Sequence, residues 1–124
     1  MLKKMLLVCS LPLLLAGCTT TFTNLTPQQQ ARRTDNMYPV EVSMVSRQAS
    51  IRWDTIKPQI MVDNELYSMR PVMLMSNRWE GLLPVPPGKK VILYRYKLDY
   101  QCSTFGGSKP ESARSPIYRL RITD

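Results

Sequence analysis

The sequence predicts an all-β chain folded as an antiparallel sandwich of about seven strands, and three observations carry that prediction. Apolar residues recur at every second position in two stretches, Tyr38 to Met44 and Ile92 to Cys102. That spacing turns one face of a strand toward a core. No window shows sustained helical periodicity, and the chain has ten prolines in 124 residues, each of which would break the hydrogen-bond ladder of a helix interior. The apolar stretches are short and separated by Pro, Gly, Asn, Asp and Ser, the residues that turn a chain.

Lys3 and Lys4 open the chain, followed by a run from Met5 to Leu15 that is apolar except for Ser10 and contains Pro12. A charged start, a short apolar region and the small residues Ala16 and Gly17 make a secretory leader. The run is barely half of the about 20 residues a spanning helix needs. Leu15-Ala16-Gly17-Cys18 resembles the lipobox of bacterial lipoproteins at all four positions. The resemblance implies cleavage before Cys18, acylation of its sulfur and then of its new amine, and a lipid-anchored place in the cell envelope. Two or more acyl chains hold a protein stably where one does not. Thr19, rather than Asp, follows the cysteine, which in the enterobacterial form of the family implies the outer membrane.

The expected organisation is therefore a signal peptide over 1–17, a lipidated N-terminus and flexible tether over 18–36, and one sandwich domain over 37–124. The tether reading rests on the Thr, Gln, Asn and Arg that dominate Thr19 to Asn36, including Gln28-Gln29-Gln30 and Arg32-Arg33. Phe22 and Leu25 are spaced to let part of it lie along the domain as an edge strand. Without Lys3 and Lys4, 15 basic side chains face 9 acidic ones. A basic balance favours lipid headgroups, anionic glycans or acidic protein surfaces, and nucleic acid is not an expected partner. Cys9 leaves with the leader and Cys18 takes the lipid, so Cys102 stands without an internal disulfide partner. It is either a reactive or bridging thiol or a small buried apolar residue, and the high burial of cysteine generally favours the second reading.

In the domain, Tyr38, Val40, Val42 and Met44 form the inward face of the first strand, and Ile51 and Trp53 mark an apolar patch after it. Lys57 to Val62 reads as a strand closed by Asp63-Asn64, a pair suited to a hairpin turn before Leu66 to Met69. Val72 to Met75 is short and apolar, and Trp79 to Leu83 is a strand ended by Pro84, Pro86, Pro87 and Gly88. Val91 to Cys102 is the clearest strand, long enough to sit centrally, with Ile92, Tyr94, Tyr96, Leu98, Tyr100 and Cys102 inward. Ser103 to Ser115 reads as a loop, and Pro116 to Thr123 as the last strand, with Tyr118, Leu120 and Ile122 inward. Such a set of short strands is the pattern of an immunoglobulin-like sandwich, without the Cys–Trp–Cys signature of antibodies.

Chemistry is scarce. The chain has no histidine, the usual acid–base residue and commonest metal ligand. One cysteine in the domain and scattered carboxylates make no zinc, haem or triad constellation, so no enzyme, metal or cofactor is expected. Gly106-Gly107 lacks phosphate-loop spacing. For binding, pairing of the last two strands would align Arg95, Lys97, Arg119 and Arg121 in a basic stripe, against the plainer reading of a solvated face. The segments Met69 to Trp79, Leu83 to Gly88 and Tyr94 to Tyr100 are similar to the early-set modules joined to glycan-active enzymes, which implies a possible sugar ligand. Trp53 and Trp79 are nonetheless expected in the core, and Met61, Met69, Met73 and Met75 either fill it or form an adaptable surface patch. The function expected is a lipid-anchored, non-catalytic envelope module that docks another envelope protein. The alternative is a surface glycan-binding module.

Overall fold

The computed structural model describes residues 20–124. The leader, Cys18 and Thr19 lie outside the described residues, and so does the expected lipidation.

The period-two alternation organises two sheets. One contains β1 (Thr20–Asn24), β3 (Met37–Ser46), β7 (Arg78–Pro84) and β6 (Arg70–Pro71), paired in that spatial order. The other runs β2 (Gln29–Ala31), β10 (Tyr118–Thr123), β8 (Val91–Thr104), β4 (Ile51–Val62) and β5 (Glu65–Ser68), with β9 (Gly107–Arg114) also on β8. Among the described residues the sheets pack as an all-β sandwich of ten strands, more than the seven expected because the short β1, β2 and β6 and the Gly- and Pro-containing β9 leave no clear apolar period. With β1, β3, β7 and β6 in one sheet and β4, β8 and β10 in the other, the strand order follows that of an immunoglobulin-like sandwich. One pair, β2 with β10, is parallel rather than antiparallel.

The inward register is the one the alternation implies. Tyr38, Val40, Val42 and Met44 of β3 are buried, as are Ile92, Tyr94, Tyr96, Leu98, Tyr100 and Cys102 of β8. Trp79 and Leu83 meet them from β7, Ile60 and Val62 from β4, and Leu120 and Ile122 from β10. Cys102 is a free, buried thiol beside Gln48 Nε2 at 3.3 Å. The Asp63-Asn64 turn joins β4 to β5, with Asp63 at φ 54, a left-handed conformation that Asp tolerates better than most residues.

Four expectations are corrected. The segment expected as a tether over 18–36 belongs to the sandwich from Thr20 on: Thr20–Asn24 pairs with Ser46 to Val42, and Gln29–Ala31 pairs with Arg121 to Thr123. Its polar composition hid this, because its grip on the core is largely by hydrogen bonds. Asn24 Nδ2 donates to Tyr94 OH at 2.9 Å, and Glu41 N donates to Thr26 Oγ1 at 2.9 Å.

The expected loop 103–115 is mostly β9, which extends a hairpin from β8 through Phe105-Gly106. Gly106 has φ 88, a conformation that favours glycine. β9 and β10 occupy the same edge of β8 in succession, and Ser115 manages the change of partner. Its N–H donates to Tyr96 O at 3.0 Å, while its hydroxyl accepts from Tyr96 N at 2.8 Å.

Trp53 is not core. The register of β4 on β8 shifts between Arg52 and Lys57, which resets the two-residue period, and Trp53 is 38% exposed. Val72 to Met75 forms no strand either. Met75 N donates to Val72 O at 3.1 Å in a turn, and Leu74 sits at φ 66.

Candidate interaction surface

Strand alternation sends the odd-numbered residues of β8 and β10 to the outer face of the larger sheet. β10 pairs with β8 as the stripe reading supposes, but Arg119 stands opposite Leu93 and Arg121 opposite Val91 rather than beside Arg95 or Lys97. Lys97, further along β8, stands opposite Arg114 of β9 and Gln59 of β4. Lys57 lies on the same face, opposite Asp99. Arg114 and Lys57 were missed in the sequence. The alternation Ser108, Pro110, Ser112, Arg114 was present, but Gly and Pro flanking it read as a loop.

The four expected stripe residues divide into two kinds. Arg95 is committed to the fold, with Nε and Nη2 donating to Ser115 O at 2.9 and 2.7 Å. Lys97 Nζ approaches Asp99 Oδ2 at 3.4 Å. Arg119 and Arg121 are exposed and make no side-chain hydrogen bond or ion pair among the described residues. Across from Arg119 on β8 is Leu93, 54% exposed. A cleft of about 750 Å³ opens beside β10, lined by Asn24, Gln28, Gln29, Ile117, Arg119 and Arg121.

The outer face of the smaller sheet has a different charge balance. Glu41 and Glu80 stand opposite each other on β3 and β7, a repulsive arrangement by itself. Arg78 pairs with Glu41 at 2.5 Å and Arg70 with Glu80 at 3.2 Å, so charge there is matched locally. The surplus of positive charge lies on the larger sheet.

The remaining sequence candidates scatter. Met69 is core and Met61 half-buried, whereas Met73 and Met75 are exposed, so the methionines share no single patch. Trp79 is buried, and Trp53 is exposed on a different element from the exposed Phe105. Among the described residues no group of three or more His, Cys, Asp or Glu is placed to hold a metal ion, and no helix is long and apolar enough to cross a membrane.

Buried beneath the basic face is a tyrosine cluster. The Tyr94 and Tyr96 rings meet edge to face, 5.7 Å apart at 86°, and Tyr118 lies 5.9 and 5.7 Å from them. Burial, reinforced by Tyr94, pushes the Tyr96 phenol far above the usual tyrosine range. At an end of the sheet, a hydrogen bond from Arg32 holds the Asp124 carboxyl below its ordinary range. These arrangements tie strands together, and what the outer face offers is positive charge beside exposed apolar side chains. No protein-family model matches the chain, and a comparison with curated proteins finds no match.

Proposed function

We propose that this chain is a lipid-anchored envelope lipoprotein, held in the outer membrane through Cys18, whose sandwich is a non-catalytic module that docks an acidic envelope protein. The anchor rests on Leu15-Ala16-Gly17-Cys18 and the leader before it. The docking face rests on one observation: Arg119 and Arg121 stand opposite exposed Leu93 and Val91 without a carboxylate partner among the described residues. Interfaces favour arginine beside apolar contact area, and unpaired guanidinium groups bring acidic partners into register.

The test is a photo-activated crosslinker at Leu93 in the full-length protein in cells, with and without Arg119→Glu plus Arg121→Glu. The expected result is a crosslink to one envelope protein that weakens at least about tenfold on charge reversal, as loss of close charge pairs does. In isolated membranes the crosslink should also fade with salt, because exposed charges are screened. A crosslink indifferent to both changes would overturn the docking face. Binding of a purified glycan at the same strength in both variants would favour the glycan-binding alternative. Fatty-acid labelling that persists in Cys18→Ser would overturn the anchor.

A further inference from the structure

The end of the sandwich nearest Cys18 carries the most exposed apolar side chains of the described chain. β1 starts at Thr20, opposite Ser46 at the end of β3. The four residues Arg47 to Ser50 then cross to Ile51, which pairs with Cys102 of β8. Thr20, the β3–β4 connection and the β8–β9 hairpin therefore share one end. The β6–β7 connection joins them, since Asn77 O accepts from Met44 N at 3.1 Å. Projecting from these connections are Phe105, fully exposed, Leu74 at 97% and Met73 at 83% exposure.

Two further features mark this end. Leu74 holds φ 66, an uncommon conformation for a leucine and one that persists where a site has a use for it. The connections themselves, Arg47 to Ser50, Val72 to Asn77 and Phe105-Gly106, contain no acidic residue and include exposed Arg47. The opposite end carries Asp35, Asp63, Glu65 and Asp124.

One residue, Thr19, separates Thr20 from Cys18 in the sequence, and two residue steps reach at most about 7 Å in an extended chain. We propose that this end lies on the bilayer, with Phe105, Met73 and Leu74 entering the boundary between headgroups and acyl chains. This inference rests on lipidation of Cys18. A tether so short leaves the domain little freedom to stand away from the membrane, and it gives the three apolar tips a nearby phase in which to be buried. Arg47 then meets anionic headgroups. The basic face of β8 and β10 points sideways, with Arg121 toward the far end.

The test uses the full-length, processed protein in vesicles of phosphatidylethanolamine and phosphatidylglycerol. Nitroxide labels are placed one at a time at Phe105→Cys, Leu74→Cys and Asn64→Cys, the last in the turn at the opposite end. Buried Cys102 serves as the unlabelled background. The expected result is that labels at 105 and 74 collide preferentially with oxygen, and the label at 64 with a water-soluble nickel chelate. That contrast corresponds to the about 5–10 Å depth of interfacial insertion.

Mass spectrometry of Cys18 on the same sample separates the two ways of failing. Acylated, vesicle-bound protein whose labels at 105 and 74 are as open to nickel as that at 64 overturns the orientation alone. Protein without acyl chains overturns the orientation and the anchor together. Dipolar broadening between labels at 105 on different molecules, with nickel access unchanged, would assign the tips to self-association instead.

Discussion

The Tyr96 hydroxyl donates to Asn24 Oδ1 at 2.7 Å, joining the centre of the longest strand to the end of the first. The same hydroxyl lies 3.1 Å from Thr26 Oγ1. A polar segment that reads as linker is thereby fastened to the middle of an apolar core.

Tyr96→Phe keeps the ring and removes that fastening. It is expected to cost about 1–3 kcal/mol, the range for leaving a buried partner unsatisfied. Equilibrium denaturation by urea measures it. A cost near zero would mean that β1 is held by its strand pairing alone.

Alkaline pH is expected to destabilise the fold through the same residue. Burial raises the folded-state pKa of Tyr96, so its contribution is fully present below the unfolded value of about 10 and is lost as pH rises toward the folded value. Tyr100 and Tyr118 are shifted upward by burial in the same sense. Melting temperature should fall above pH 10, less steeply in Tyr96→Phe. An equal slope in both proteins would assign the effect to other groups.

Neighbours on β8 should respond oppositely to truncation. Leu98 is fully buried, whereas Lys97 faces outward with its ammonium near Asp99. Leu98→Ala is expected to cost about 2–5 kcal/mol, and Lys97→Ala no more than about 0.5 kcal/mol. Denaturant midpoints compare the two directly, and a reversed order would contradict the register.

Arg95 and Arg119 share a face but not a role. Arg95→Ala leaves Ser115 O without its guanidinium donors, and is expected to cost about 1–3 kcal/mol. Arg119→Ala is expected to change stability by no more than about 0.5 kcal/mol while weakening the Leu93 crosslink. Thermal melts and crosslinking yields separate folding from docking.

The fold was legible where burial is apolar and periodic. Ile92 to Cys102 alternates without interruption, and every inward residue of that set is buried. Legibility failed where the chain meets the core by other means. Asn24 and Thr26 enter by hydrogen bonds, which leave no hydrophobic period. Trp53 lies in β4, whose register slips after Arg52, so counting by twos from Ile51 gives the wrong face. The pairing behind the stripe was legible, because Arg119 and Arg121 alternate with Leu120 and Ile122. The engagement of Arg95 by Ser115 was not, since it depends on the chain changing edges at a residue with no distinctive pattern around it.

The parallel pairing of β2 with β10 bears on when the protein can finish folding. Gln29 to Ala31 wait for Arg121 to Thr123, residues made some ninety positions later. A chain emerging from its N-terminus thus holds an open edge on β2 until those residues are available, and closing so long a loop is entropically costly and slow. Completion of the larger sheet waits for Arg121 to Thr123, and a chain stalled before residue 121 would expose that edge to other strands.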